Sequence, residues 1–220
     1  MRPRPSAVLA LAGALAAALT LNGCSNNAQQ NGSIAGAATG AAATASAQPS
    51  ASLYPVSGLQ MSFDLPSDLN LDFQTTALNS ATANEIETVL VDQYKAYAEA
   101  LSSSSAKQSN YKELTVGTAR QTENAELAWW KSKNERIIGL DRLYDFTVTV
   151  SGAESATFSY CEDSTKLEYR NVTTGQEIAN DASIANNHTL REGQLAKGTG
   201  ELWAVYSLLT QDGAAQCMGN

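Results

Sequence analysis

Histidine is nearly missing from this chain: His188 is the only one in 220 residues. Zinc sites built on several histidines, and HExxH helices, therefore have no material here. A Ser-His-Asp arrangement would have to use His188, which follows Asn186 and Asn187 with no nucleophile or ligand spacing around it. A GxSxG elbow and a glycine-rich phosphate loop are also absent. Positive charge is scarce, with 14 Lys and Arg against 22 Asp and Glu. Nucleic acid requires a basic footprint and anionic lipid attracts basic segments, so neither is a charge-driven partner. Cysteine is rare as well: Cys24, Cys161 and Cys217 include no CxxC pair. These absences argue for no metal and no cofactor.

What is present begins with an address. Arg2 and Arg4 precede the apolar run 7–21, and "LALAGALAAALTLNGCSNN" then turns polar at Asn22-Gly23-Cys24. A spanning helix needs about 20 apolar residues, so this run is short; a cationic start, a short apolar stretch and small residues describe a signal peptide. Leu21-Asn22-Gly23-Cys24 resembles the bacterial lipoprotein signal, with Leu three residues before an obligatory Cys. The resemblance implies that residues 1–23 are removed and that Cys24 becomes the lipidated first residue. Two or three acyl chains, at about 0.8 kcal/mol per buried CH₂, hold a domain durably at a membrane. The expected location is thus extracytoplasmic, on the outer face of the cell membrane.

Residues 24–57 carry no charge and hardly any large apolar side chain. Such a composition does not offset the entropy of ordering and reads as a tether. At about 5–6 Å × √n it holds the domain roughly 30 Å from the lipid.

Residues 58–220 suffice for one domain with one core. Without Arg2 and Arg4, twelve basic residues face 22 acidic ones, a net charge of −10 that serves solubility. In an exported domain the remaining pair, Cys161 and Cys217, reads as a disulfide. A reactive thiol or metal ligand is the sharper alternative, without supporting spacing.

Residues 58–80 read as an extended surface lead-in. Thr82-Ala83-Asn84-Glu85 has the form of a capping box. Behind it Ile86, Leu90, Tyr94, Tyr97 and Leu101 form an amphipathic helical stripe that the serines 102–105 end. A second helical piece starts near Tyr111, and a third runs from about Glu123 through Trp129 and Trp130 to Ile138, stopped by Gly139. Only one of two adjacent tryptophans can face inward. Beyond Gly139 the period becomes 2, with Tyr144, Phe146, Val148 and Val150 on one face and Asp145, Thr147 and Thr149 on the other. Ala156, Phe158 and Tyr160 repeat the pattern before a turn-like Glu162-Asp163-Ser164. The Thr174-Gly175 turn marks a hairpin, 180–187 a polar loop, and two further strands flank Gly198-Thr199-Gly200. The last, "ELWAVYSLLTQ", is apolar on both faces, as a central strand should be.

Helices followed by a run of strands is an α+β order. The Tyr-rich first helix, the Trp-bearing third, "YCEDS", the "TTG" turn and the late "WAV" strand together resemble the NTF2-like (SnoaL-like) family. The chain also resembles small lipoproteins of high-GC Gram-positive bacteria with a Cys in mid-sheet and another near the C-terminus. The family implies N-terminal helices packed into a curved antiparallel sheet, and homodimers through the sheet's outer face. An unrelated sheet packed on helices is the competing architecture.

Enzymes of that family place Asp, His or Tyr inside the cone, and Asp145, Tyr144, Tyr160, Asp163 and His188 are the residues to examine. None matches a catalytic position, so no catalytic residue is assigned. Asp145 is expected in solvent, Asp163 at a turn, and His188 exposed beside its loop. Tyr144, Tyr160 and Trp203 are the candidate pocket residues, although core filling is the better account of the aromatics. The leading expectation is a non-enzymatic lipoprotein that binds a protein or cell-wall component. A carrier or sensor of a small apolar ligand comes second, and a cofactor-free isomerase, cyclase or hydratase third.

Overall fold

A computed structural model of the chain describes residues 52–53, 60–103, 109–180, 185–198 and 201–219. The leader 1–23, Cys24 and the tether, save Ser52–Leu53, lie outside the described residues. Strands β1 (Ser52–Leu53) and β2 (Gln60–Met61) form a short antiparallel ladder. Strand β3 (Leu69–Phe73) precedes helices α1 (Ala81–Ser103), α2 (Ser109–Leu114) and α3 (Gly117–Lys133). Then come β4 (Glu135–Val150), β5 (Ser155–Asn171), β6 (Glu177–Ile178), β7 (His188–Lys197) and β8 (Trp203–Asp212). Short 3₁₀ turns occupy Ala185–Asn187 and Ala215–Cys217.

The six-stranded sheet runs β3-β4-β5-β7-β8, with β6 paired to β5. Its pairings are antiparallel except one: β3 lies parallel to β4, Leu69 opposite Gly139 and Phe73 opposite Leu143. The expectation of an antiparallel sheet behind N-terminal helices is corrected accordingly. Parallel neighbours need a crossover, and the three helices supply it. The expected surface lead-in is part of the fold too. Met61 and Leu69 are buried, while Phe63, Leu65, Leu71 and Phe73 pack against the core.

Helix α1 buries Ile86, Leu90, Tyr94, Tyr97 and Leu101, the stripe read from the sequence. Its cap is two residues earlier than expected, at Ser80 instead of Thr82: Ser80 Oγ accepts from Ala83 N at 3.1 Å, and Asn84 Oδ1 accepts from Leu78 N at 2.9 Å. Helix α3 stops at Asn134, whose φ of 55° is left-handed, so Ile137 and Ile138 belong to β4. Gly139 is inside that strand at φ +92°, where a Cβ would meet the Lys166 carbonyl oxygen at 2.4 Å.

Three irregularities break the alternation. In β4, Asp145 (φ 55°) and Phe146 together oppose Tyr160. In β5, Ser164 and Thr165 oppose Asp141, and the spare Thr165 N–H is taken by Asp163 Oδ1 at 3.0 Å. In β8, Tyr206 is the extra residue between the pairs Val205–Leu195 and Ser207–Gln194. Bulges bend strands and re-aim side chains. Strand β8 is at the sheet's edge, not its centre. Its apolar first half is closed by the α2–α3 junction: Thr115 bridges Val205, and Val116 N donates to the Val205 carbonyl at 2.9 Å. Among the described residues no helix is long and apolar enough to cross a membrane.

Candidate functional site

Strand β5 is continuous through Glu162-Asp163-Ser164, so no turn interrupts it. Alternation therefore carries on: Phe158, Tyr160, Glu162 and Ser164 point to the helix side, Cys161 and Asp163 to the other. The two faces of this one strand build two different sites.

The helix-side site is polar at its centre and fully enclosed. Asp141 of β4 is 0% exposed, Glu162 4%, Ser164 3% and Arg191 of β7 5%. Tyr94 descends from α1 into the middle. Its hydroxyl contacts a carboxyl oxygen of Asp141 and lies 3.1 Å from Glu162 Oε1. Ser164 Oγ lies 3.0 Å from Asp141 Oδ1 and 2.9 Å from Glu162 Oε1. Arg191 Nε donates to Glu162 Oε2, and its guanidinium carbon sits 5.3 Å from the Tyr94 ring centre and 5.5 Å from that of Tyr97. Every carboxyl oxygen of Asp141 and Glu162 thus has a partner inside the protein.

The electrostatics follow from enclosure. Burial, then the neighbouring Glu162 charge, pushes the Asp141 carboxyl well above the ordinary range. Burial also pushes the Tyr94 hydroxyl up, reinforced by Asp141 and Glu162. For Arg191 burial opposes the charge, but Glu162 overrides it and holds the guanidinium charged. Such a pair is costly to desolvate and more costly to break on one side only.

Beside this centre, α3 contributes Glu123, 1% exposed. Gln93 Nε2 donates to Glu123 Oε1 at 2.8 Å and lies 3.2 Å from Thr115 Oγ1. Glu123 Oε2 has no hydrogen-bond partner. Burial pushes Glu123 up to about 7, partly offset by Arg191 and Gln93. The Tyr97 hydroxyl, raised by burial and by nearby Glu126, has no partner in hydrogen-bond geometry.

On the opposite face, Cys161 and Cys217 form a disulfide with Cα atoms 5.4 Å apart. They pack with Tyr144, Leu190 and Ala214, and the Tyr144 hydroxyl donates to the Cys217 carbonyl. Closing a loop across 56 residues contributes about 4 kcal/mol by the chain-entropy estimate. Alongside, Arg142 pairs with Asp72 at 3.4 Å and Asp163 at 3.7 Å, and His188 Nε2 lies 3.9 Å from Asp163 Oδ1.

The candidate residues from the sequence are therefore distributed, not gathered. Tyr160 stacks on Phe146 at 5.0 Å and on Phe158 at 5.9 Å in the main core, which also contains Trp203, 0% exposed. Tyr144 belongs to the disulfide face, because the bulge at Asp145 separates it from Phe146. Val150 keeps the face of Val148, opposite Ala156, but is exposed near the strand's end. Asp145 is exposed as expected. Asp163 is in mid-strand, not at a turn, and His188 is half-buried against it because the two are register partners. Trp130 is buried and Trp129 half-buried. Cys24 lies outside the described residues. No group of His, Cys, Asp and Glu among the described residues is arranged to hold a metal ion.

Sequence reasoning missed Asp141, Glu162, Ser164, Arg191 and Glu123. One signal was available: extending the period-2 pattern from Phe158 and Tyr160 places Glu162 and Ser164 on the same inner face. Composition pointed instead to a turn, and charge to solvent.

No family model matches the chain, and no curated protein does. Among solved structures, the intermembrane space region of chloroplast protein ARC6 aligns at 12% identity, over 62% of this chain and 99% of its own, with a TM-score of 0.45. A putative ketosteroid isomerase from Shewanella frigidimarina aligns at 11% identity, over 57% and 93%, with a TM-score of 0.29. At TM-scores below 0.5, neither likeness bears on what this chain does; its architecture is a mixed α+β domain with a six-stranded sheet.

Proposed function

We propose that this protein is a non-enzymatic binding or accessory domain of the NTF2-like type, held by lipid at Cys24 on the outer face of a cell membrane. The observation carrying this reading is the saturation of the central cluster. Asp141 and Glu162 spend all four carboxyl oxygens on Tyr94, Ser164 and Arg191. Catalysis needs an acid or base within reach of a reactant, and here those groups reach one another. Asp145 and the His188–Asp163 pair do not converge on this interior. The order of elements, helices followed by β4, β5, β7 and β8 with bulges, supports the NTF2-like type.

The working part is then the outer surface, where Leu209 is 67% exposed, Val172 51% and Met218 45%. Photo-crosslinking side chains placed at these three positions in cells should give a discrete protein or wall adduct from at least one. Adducts at none, with a small molecule co-purifying in the domain, would replace this reading with that of a carrier. Cys24→Ala should move the protein from membranes to the soluble or released fraction. Retention at the membrane at mature mass would remove the lipid anchor from the proposal.

A further inference from the structure

Counting hydrogens in the central cluster gives a result that no single contact shows. The Tyr94 and Ser164 hydroxyls each touch both Asp141 and Glu162, making four oxygen–oxygen contacts. Two hydroxyls bring only two hydrogens. With both carboxyls ionised, at least two contacts set lone pair against lone pair in a dry interior, which is costly. Charge gives the same answer. Two carboxylates against the one guanidinium of Arg191 leave a net negative charge where Asp141 is 0% exposed. One extra proton neutralises the cluster and supplies a third hydrogen, so a single Ser164 contact is left without one. Placed on Asp141, it is donated to the Tyr94 oxygen, and Tyr94 then turns its own hydrogen to Glu162, which also accepts from Arg191. The chain Asp141–Tyr94–Glu162–Arg191 becomes directed and neutral.

We propose that the interior of this domain holds one proton, shared between Asp141 and Glu162 through Tyr94, as a pH-sensitive latch of α1 onto the sheet. Tyr94 is the group that α1 commits to this cluster, so loss of the proton loosens the contact between α1 and β4. The groups facing Asp141 account for the response. From α1 there is Tyr94, and from β5 come Tyr160, Glu162 and Ser164. Strand β7 contributes Arg191, and on β3 the register partner is the uncharged Leu71. Glu123 of α3 adds a second buried acid near Arg191, with its own ionisation near 7.

The sign is fixed by linkage. Asp141 and Glu123 bind protons more tightly in the folded chain than their ordinary values of 3.8 and 4.5 allow. Their stabilisation is complete below those values and is lost as pH rises through the folded ones. Stability should therefore decline from mildly acidic to alkaline pH.

Infrared spectroscopy reads the proton directly, through the carbonyl stretch of a buried protonated carboxyl. The full chain carrying Glu123→Gln, which removes the second buried acid, should still show that band at pH 6.5, and adding Asp141→Asn should abolish it. Raising the pH of the Glu123→Gln protein should bleach the band and lower the melting temperature together, by about 5 °C. Absence of the band at pH 6.5, its survival in the double variant, or a fall in melting temperature with the band unchanged would each overturn the proposal. The titration of Glu123→Gln alone keeps the test decisive if the double variant does not fold.

Discussion

The two faces of β5 solve the same problem by opposite means. Toward the helices, Tyr160, Glu162 and Ser164 meet elements that cover them completely, and the chain there tolerates a carboxyl pair and a guanidinium in a closed interior. Toward the other side, Cys161 meets no helix. Its cover is the C-terminal 3₁₀ turn Ala215–Cys217, a small cap of Tyr144, Leu190 and Ala214 around one covalent bond. Where three helices supply apolar cover, polar specificity is affordable. Where only a short turn is available, too small to bury much surface, a crosslink supplies the stability that area does not.

That contrast is open to breakage. Arg191→Met should have the largest effect, because it leaves Glu162 buried beside Asp141 with its cation gone; a loss of about 3–5 kcal/mol is expected in urea denaturation. Next, Cys161→Ala with Cys217→Ala should cost about 2–4 kcal/mol while leaving the helix-side cluster intact. Far-UV circular dichroism at low denaturant should be unchanged in that variant. If removing the disulfide instead disorders the helices, the two faces are not separate and the comparison fails. Tyr94→Phe should cost about 1–3 kcal/mol, since the ring stays and only the hydroxyl bridging two carboxyls is lost. Leu209→Ser on the exposed edge should change stability by no more than about 0.5 kcal/mol, and it sharpens the contrast by showing what a position with no burial contributes.

Legibility in the sequence follows the same division. The α1 stripe and the Thr174-Gly175 turn were readable because each obeys one local rule. Gly175 does adopt a positive φ, at 71°. The disulfide was readable from the even cysteine pair and the expectation of export. The central cluster was not, because two correct rules misled: charged residues favour water, and Glu-Asp-Ser favours turns. Burial of Arg191 and Glu162 depends on their being register neighbours of the same face, a long-range fact that neither residue's surroundings in the sequence disclose. The parallel β3 escaped notice for a related reason. Asp68 beside Pro66 looks like surface, yet its carboxylate is clamped by Arg136 at 2.6 Å and by Arg170, and these arginines hold it below the usual carboxylate range.

The inserted residue at Asp145 carries a consequence for anyone altering this chain. Upstream of it the inner positions of β4 are odd-numbered, Asp141 and Leu143; downstream they are even-numbered, Phe146 and Val148. The strand is thus written in two phases, with Asp145 as the comma between them. Deleting that one exposed residue would seat Phe146 directly after Tyr144, so plain alternation would keep Phe146 and Val148 inward and only the local bend would be lost. A residue inserted elsewhere in the strand, with no bulge to absorb it, would turn Phe146 and Val148 to water. The bend, and the change from odd to even numbering of the inner face, are both set by this one exposed position.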